Sequence, residues 1–156
     1  MSARPRVATC LWYDGNAEEA VEFYISLIPD SEIKKVMRAG PDGPAVLLEF
    51  TLGGTPYQAL NGGPHATLSE CVSISVLTPD QAETDRLWDA LTADGGQEMP
   101  CSWLKDRFGL CWQIVPERLL ELLNDPDPET AGRAMQSMQT MTKIDIAALE
   151  QAAAGD

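Results

Sequence analysis

The chain has 156 residues, 24 acidic against 11 basic, a formal charge of −13 and a 44% share of hydrophobic residues. That length suits one compact domain with a core of its own, and the charge argues against nucleic acid or an anionic membrane as partner, since no local basic patch offsets it. No apolar run is long enough to cross a bilayer, the N-terminal MSARPRVATC lacks a secretory hydrophobic region, and Cys10, Cys71, Cys101 and Cys111 lie far apart, so the expectation is a cytoplasmic protein with reduced thiols and neither zinc site nor disulfide framework.

VATCLWY reads as a buried first strand, ended by Asp14-Gly15-Asn16. A helix follows in NAEEAVEFYISLIP. Asn16 can cap it, Glu18 and Glu19 suit its positive end, and Ala20, Val21, Phe23, Tyr24, Leu27 and Ile28 form an apolar stripe before Pro29. EIKKVMR, AVLLEFTL and PYQALN then read as strands separated by glycine and proline turns, giving β-α-β-β-β.

That order begins again. CVSISVL is a strand, TPDQAETDRLWDALTADGG a helix capped by Thr78 and closed by Gly95-Gly96, and EMPCSWLKD and LCWQIVP are further strands. Gly54-Thr55-Pro56-Tyr57-Gln58-Ala59-Leu60 lies over Gly109-Leu110-Cys111-Trp112-Gln113-Ile114-Val115, which makes the two halves a duplication: module one about 6–64 and module two about 69–116. The tail, about 117–154, reads as two or three helices, with a strong start at Asp127-Pro128-Glu129 and a stripe of Ala131, Met135 and Met138 read as structural packing.

The stretches CLWYDGNAEEAVEFYISLIPDSEI, ALNGGPH, CSWLKDRFGLCWQIVP and MTKIDIAALEQA resemble the PhnB-like branch of the glyoxalase, bleomycin-resistance and extradiol-dioxygenase superfamily. The resemblance implies an α+β fold of two βαβββ modules forming a curled mixed sheet around a cavity, with a C-terminal helical extension, usually in a homodimer. Members commonly carry the label of a demethylubiquinone methyltransferase. The first strand here is not followed by the glycine-rich turn that S-adenosylmethionine needs in Rossmann-type sites, so the label is not adopted.

In metal-dependent members of the superfamily each module supplies two ligands, and that pattern falls here on Thr9, Gln58, Cys71 and Gln113. A hydroxyl, a thiol and two amides are poor ligands for zinc, nickel or iron, so no metal and no other cofactor are expected. A slip of a residue or two would bring Glu49 or Asn61 inward and keep a divalent metal open.

KDRFGL reads as a hairpin turn begun by Asp106, with Gly109 in the left-handed position of a bulge. In that register Trp103 faces Gln113 and Lys105 faces Cys111 on the cavity side; without the bulge, Trp103 turns towards Trp112. Alternation places Thr9, Leu11 and Tyr13, and likewise Cys71, Ser73 and Ser75, on the cavity face. The result is a mixed cavity for a small, partly aromatic or polar ligand, with Lys105 available to an anionic group. Three residues are weak catalytic candidates: Glu49, solvent-facing or a base of raised pKa; His65, an exposed loop histidine or an acid-base group at the cavity mouth; and Lys105, which also fits a turn ion pair. Cys71 and Cys101 fit small apolar residues better than nucleophiles. The expected function is small-molecule binding without a metal, the alternative a metal-dependent or general-base lyase, isomerase or transferase.

Overall fold

In the computed structural model, which describes residues 6–155, the apolar alternation of VATCLWY condenses into β1 (Thr9–Tyr13). α1 (Ala17–Leu27), β2 (Glu32–Arg38), β3 (Ala45–Leu52) and β4 (Thr55–Asn61) complete a mixed sheet of order β1-β4-β3-β2, in which β1 runs parallel to β4 and the other pairs are antiparallel. α1 lies over β3 and β4 and buries Ala17, Ala20, Val21 and Tyr24. Asn16 stands at its N-terminus without a side-chain cap bond. Asn61 takes the role from the far end of β4: its Oδ1 accepts from Ala17 N at 2.9 Å and its Nδ2 donates to Ala45 O at 2.9 Å. One amide thereby ties helix to sheet and satisfies a donor that the first helical turn leaves open.

The second module repeats the order with β5 (Ser73–Thr78), α2 (Gln81–Thr92), β6 (Gln97–Glu98), β7 (Trp103–Lys105) and β8 (Cys111–Pro116), in the order β5-β8-β7-β6 with β5 parallel to β8. EMPCSWLKD is thus two short strands around a tight turn rather than one strand, and both halves are βαβββ. The helix cap is Asp80, whose Oδ1 accepts from Glu83 N at 2.9 Å. Thr78 instead ends β5, buried, with its hydroxyl 2.7 Å from that of Thr84. Between β7 and β8 the bulged register is the one adopted: Gly109 has φ +89°, Trp103 pairs with Gln113, and Lys105 pairs with Cys111.

The tail forms α3 (Glu117–Leu123), α4 (Pro128–Gln139) and α5 (Ile146–Ala154). Asp127 caps α4 as read, accepting from Glu129 N and Thr130 N. Leu119, Leu122, Ala134, Ile144, Leu149 and Ala153 close on Val115 of β8, with Met138 and Met141 packed against them, while Met135 stays 41% exposed. The chain divides into two compact units at Leu68 and Ser69, and the tail belongs to the second. Among the described residues no helix is long and apolar enough to cross a membrane.

Candidate functional site

Each sheet has one side under its own helix and one turned away from it. In the first sheet Leu11, Leu48, Phe50 and Ala59 are buried on the helix side, and Tyr13 reaches the hydroxyl of Tyr24 on α1 at 3.3 Å. The phase expected for β1 is therefore reversed. Leu11 and Tyr13 belong to the core under α1, with Thr9 in the same phase at the exposed strand start, and the side turned away carries Cys10 and Trp12. The Trp12 indole donates to Gly63 O at 2.8 Å and lies against Gly62, where a Cβ would fall 2.2 Å from its Cζ2. Only glycine leaves room for the ring.

Strand register then lines up rows about 4.8 Å apart strand to strand on this face. One row runs Cys10, Gln58, Glu49, Lys35, and the next Trp12, Leu60, Leu47, Met37. Glu49 accordingly points away from α1, half-buried, between Gln58 and Lys35. Cys10 shares the row as an exposed thiol whose partial desolvation pushes it upward.

In the second sheet Ile74, Leu104, Trp112 and Ile114 are buried on the helix side, and the phase is the one read from sequence. The opposite face carries Ser75, Gln113 and Trp103 in one row and Ser73, Cys111 and Lys105 in the next. Gln113 Nε2 donates to Ser73 Oγ at 2.8 Å. Lys105 Nζ lies 3.3 Å from Glu70 Oε1, so its counter-ion comes from the segment before β5 and not from Asp106. Cys111 is fully buried, and burial first, then Glu70 and Asp106, raise its thiol against the opposing pull of Lys105. Cys71 precedes β5 and is exposed, which removes it from the strand face on which it was expected. His65 is an exposed loop residue between β4 and β5.

The two modules correspond in strand pairing: Gln58 lies opposite Cys10 on the first strand of its module, as Gln113 lies opposite Ser75. The first-strand positions matching the glutamines are therefore Cys10 and Ser75, in place of Thr9 and Cys71. Neither pair suits a divalent metal: an amide with a single thiol in one, an amide with a hydroxyl in the other, and no imidazole or carboxylate in either pair. Among the described residues no group of three or more His, Cys, Asp or Glu is placed to hold a metal ion.

Sequence reasoning missed the part played by Asp106. It is only 3% exposed, its Oδ1 accepts from Phe108 N and Leu110 N at 2.8 and 3.0 Å, and its Oδ2 accepts from the Trp112 indole at 2.8 Å. The Asp-x-x-Gly spacing signalled the turn, but not that the carboxylate also anchors a tryptophan under the sheet. An open cleft of about 650 Å³ lies elsewhere, lined by residues of α2 and the tail. Its cations are paired, Lys143 with Asp85 and Arg118 with Glu150, each at 2.7 Å, and none of the sheet-face residues lines it.

The family model described as 3-demethylubiquinone-9 3-methyltransferase matches residues 5–115. Among solved structures, a putative 3-demethylubiquinone-9 3-methyltransferase, PhnB protein, from Bacillus cereus is similar at 29% identity and TM-score 0.64, covering 72% of this chain and 99% of its own. Protein PA1353 from Pseudomonas aeruginosa shares the fold at 20% identity and TM-score 0.59, covering 73% of this chain and 98% of its own. A hypothetical protein from Staphylococcus aureus, SA1046, does so at 16% identity and TM-score 0.51, covering 74% and 95%. No curated protein matches. The family match ends at residue 115, just before the tail begins.

Proposed function

Because the chain belongs to the family described as 3-demethylubiquinone-9 3-methyltransferase, the PhnB-like branch of the glyoxalase and bleomycin-resistance superfamily, we propose that it is a small-molecule-binding protein that works without a metal. One observation carries this reading: on each sheet, the face turned away from the helix centres on a glutamine, flanked by Cys10 and Glu49 on the first and by Ser75 and Trp103 on the second, with a tryptophan on each face. On the first sheet Trp12 offers stacking surface and Gln58 neutral hydrogen bonds; on the second, taken by itself, Trp103 offers stacking surface, Gln113, Ser73 and Ser75 neutral hydrogen bonds, and Lys105 one cation to an anionic substituent. Either face suits a small aromatic or unsaturated compound with polar substituents. The arrangement favours sequestration or sensing over methyl transfer, since the β1–α1 connection, Asp14-Gly15-Asn16, has a single glycine. A homodimer in the cytoplasm, without nucleic acid or membrane, completes the reading.

A second reading rests on Glu49. A carboxylate beside Gln58, half-buried on the same face, supports the reading of a general base for proton transfer next to a carbonyl. Elemental analysis of protein purified without chelator or metal-bearing tag, followed by a thermal-shift screen of aromatic and anionic compounds, tests both. Stoichiometric transition metal refutes the metal-free reading, and turnover of a bound compound that Glu49→Gln abolishes establishes the second over the first.

A further inference from the structure

The turn joining β6 to β7 is built from residues that such turns avoid. Trp103 N donates to Pro100 O at 3.4 Å, and the two residues between them, Cys101 and Ser102, have φ of +60° and +70°. Positive φ at both central positions is the type I′ pattern, which selects Asn-Gly because left-handed backbone disfavours a residue bearing an ordinary side chain by about tenfold. Cys-Ser does not make this turn by local preference.

The tail supplies what the local sequence lacks. Met141 O accepts from Cys101 N and Thr142 O from Ser102 N, both at 2.9 Å. Ser102 and Ile114 stand where the antiparallel ladder would exchange two backbone bonds. Ile114 N does donate to Ser102 O at 3.0 Å, but the Ser102 N–H is turned to the tail, and its hydroxyl donates to Ile114 O instead. A side-chain donor has replaced a backbone rung, and the released N–H holds the tail. Ser102 is 2% exposed, so each of these groups needs its partner. The tail segment is fixed from its other side by α2: Gln81 accepts from Ile146 N at 2.9 Å and donates to Ile144 O at 3.0 Å, and Asp85 pairs with Lys143.

We infer that the C-terminal tail is a clamp on the β6–β7 turn, with Ser102 as the positioning residue through which the docking of residues 141–146 sets the placement of Trp103. The tail half of the clamp lies beyond residue 115, where the family match ends, while the turn it holds lies within the match, and together they place a control over one tryptophan of the ligand-facing side. When the tail lifts, Ser102 can return to extended backbone, its N–H can take Ile114 O, and the turn reopens beside Trp103. The bearing of this on ligand rests on the binding role proposed for Trp103. The clamp itself does not, because its test needs no ligand, so the two can fail separately.

The test compares the full chain with Gln81→Ala/Asp85→Ala, which loosens the tail from α2, in two backgrounds: the native turn and Cys101→Asn/Ser102→Gly, a turn that forms by itself. Amide exchange and the Trp103 indole resonance are read by NMR. With the native turn, the loosening variant should raise exchange at Cys101 and Ser102 at least tenfold and shift the Trp103 indole. With the Asn-Gly turn, the tail should loosen equally while Trp103 stays in place. A Trp103 shift that is the same in both backgrounds, or absent from both while the tail loosens, overturns the inference. Ser102→Val should release the tail from the other direction, as protease nicking near Met141; if that variant fails to fold, the background comparison still decides.

Discussion

Asp106 offers the sharpest quantitative test of how the β7–β8 hairpin is held. Its carboxylate accepts from Phe108 N, Leu110 N and the Trp112 indole, and both Leu110 and Trp112 are at most 1% exposed. Asp106→Asn keeps one carbonyl oxygen for the two backbone donors but turns either an amide N–H₂ or an empty space towards the indole N–H. A buried donor left without an acceptor costs about 1–3 kcal/mol, so the variant should lose about that much stability, chiefly at Trp112. Trp112→Phe removes the donor, and in that background Asp106→Asn should lose at least about 1 kcal/mol less, giving a coupling well beyond the 0.3–0.5 kcal/mol typical of independent sites. Urea unfolding of the four proteins, followed by circular dichroism and checked for a common slope, measures the cycle. Additive losses would refute the claim that the indole bond is what the carboxylate is buried for.

Further tests address the two sheet faces and the tail. Gly62→Ala should displace the Trp12 ring, break its bond to Gly63 O and destabilise by about 1–3 kcal/mol, the usual range for overpacking; an unchanged Trp12 indole resonance would contradict the packing. Glu70→Gln should alter stability by less than about 1 kcal/mol and only at low salt, as for an exposed pair; a larger loss surviving 1 M salt would show that Lys105 is held more firmly than its 3.3 Å contact implies. Asp85 is held below the usual carboxylate range by the bond from Lys143 and then by Gln81, and Lys143 is raised above the usual lysine range by its bond to Asp85. The contribution of Asp85 to tail docking is therefore present above the ordinary carboxylate pKa and lost as pH falls through its depressed value; that of Lys143 is present below the ordinary lysine pKa and lost as pH rises through its raised one. Exchange protection in the tail should be level across neutral pH and fall first in acid, and Asp85→Asn should remove that acid step.

What could be read in the sequence, and what could not, divides by the range of the forces involved. The order of the first module, the Gly109 bulge and the cap at Asp127 rest on residues a few positions apart, whose turn and capping chemistry acts locally. The phase of β1 does not. Thr9, Leu11, Tyr13 and Cys10, Trp12 are both acceptable apolar sets for a short strand, and what separates them is a hydroxyl contact with Tyr24 and the room left for an indole by Gly62, on the far side of the module. Reversing that phase moves the first-strand position of module one from Thr9 to Cys10, an error of one residue in facing, whereas the move from Cys71 to Ser75 in module two is four residues along a strand whose facing was read correctly; together they changed the inferred ligand set while leaving the fold intact. The second miss has the same origin. EMPCSWLKD reads as one strand because Cys101-Ser102 lacks turn chemistry, and the chain turns there only because two carbonyls some forty residues later accept the N–H groups that the turn points outward. A sequence that breaks a local rule and folds regardless must be compensated from elsewhere, so the breach locates the compensating contact. Here it leads from a missing Asn-Gly to Met141 and Thr142, and the tail is bound to the strand bearing Trp103 by the turn that local reasoning could not see.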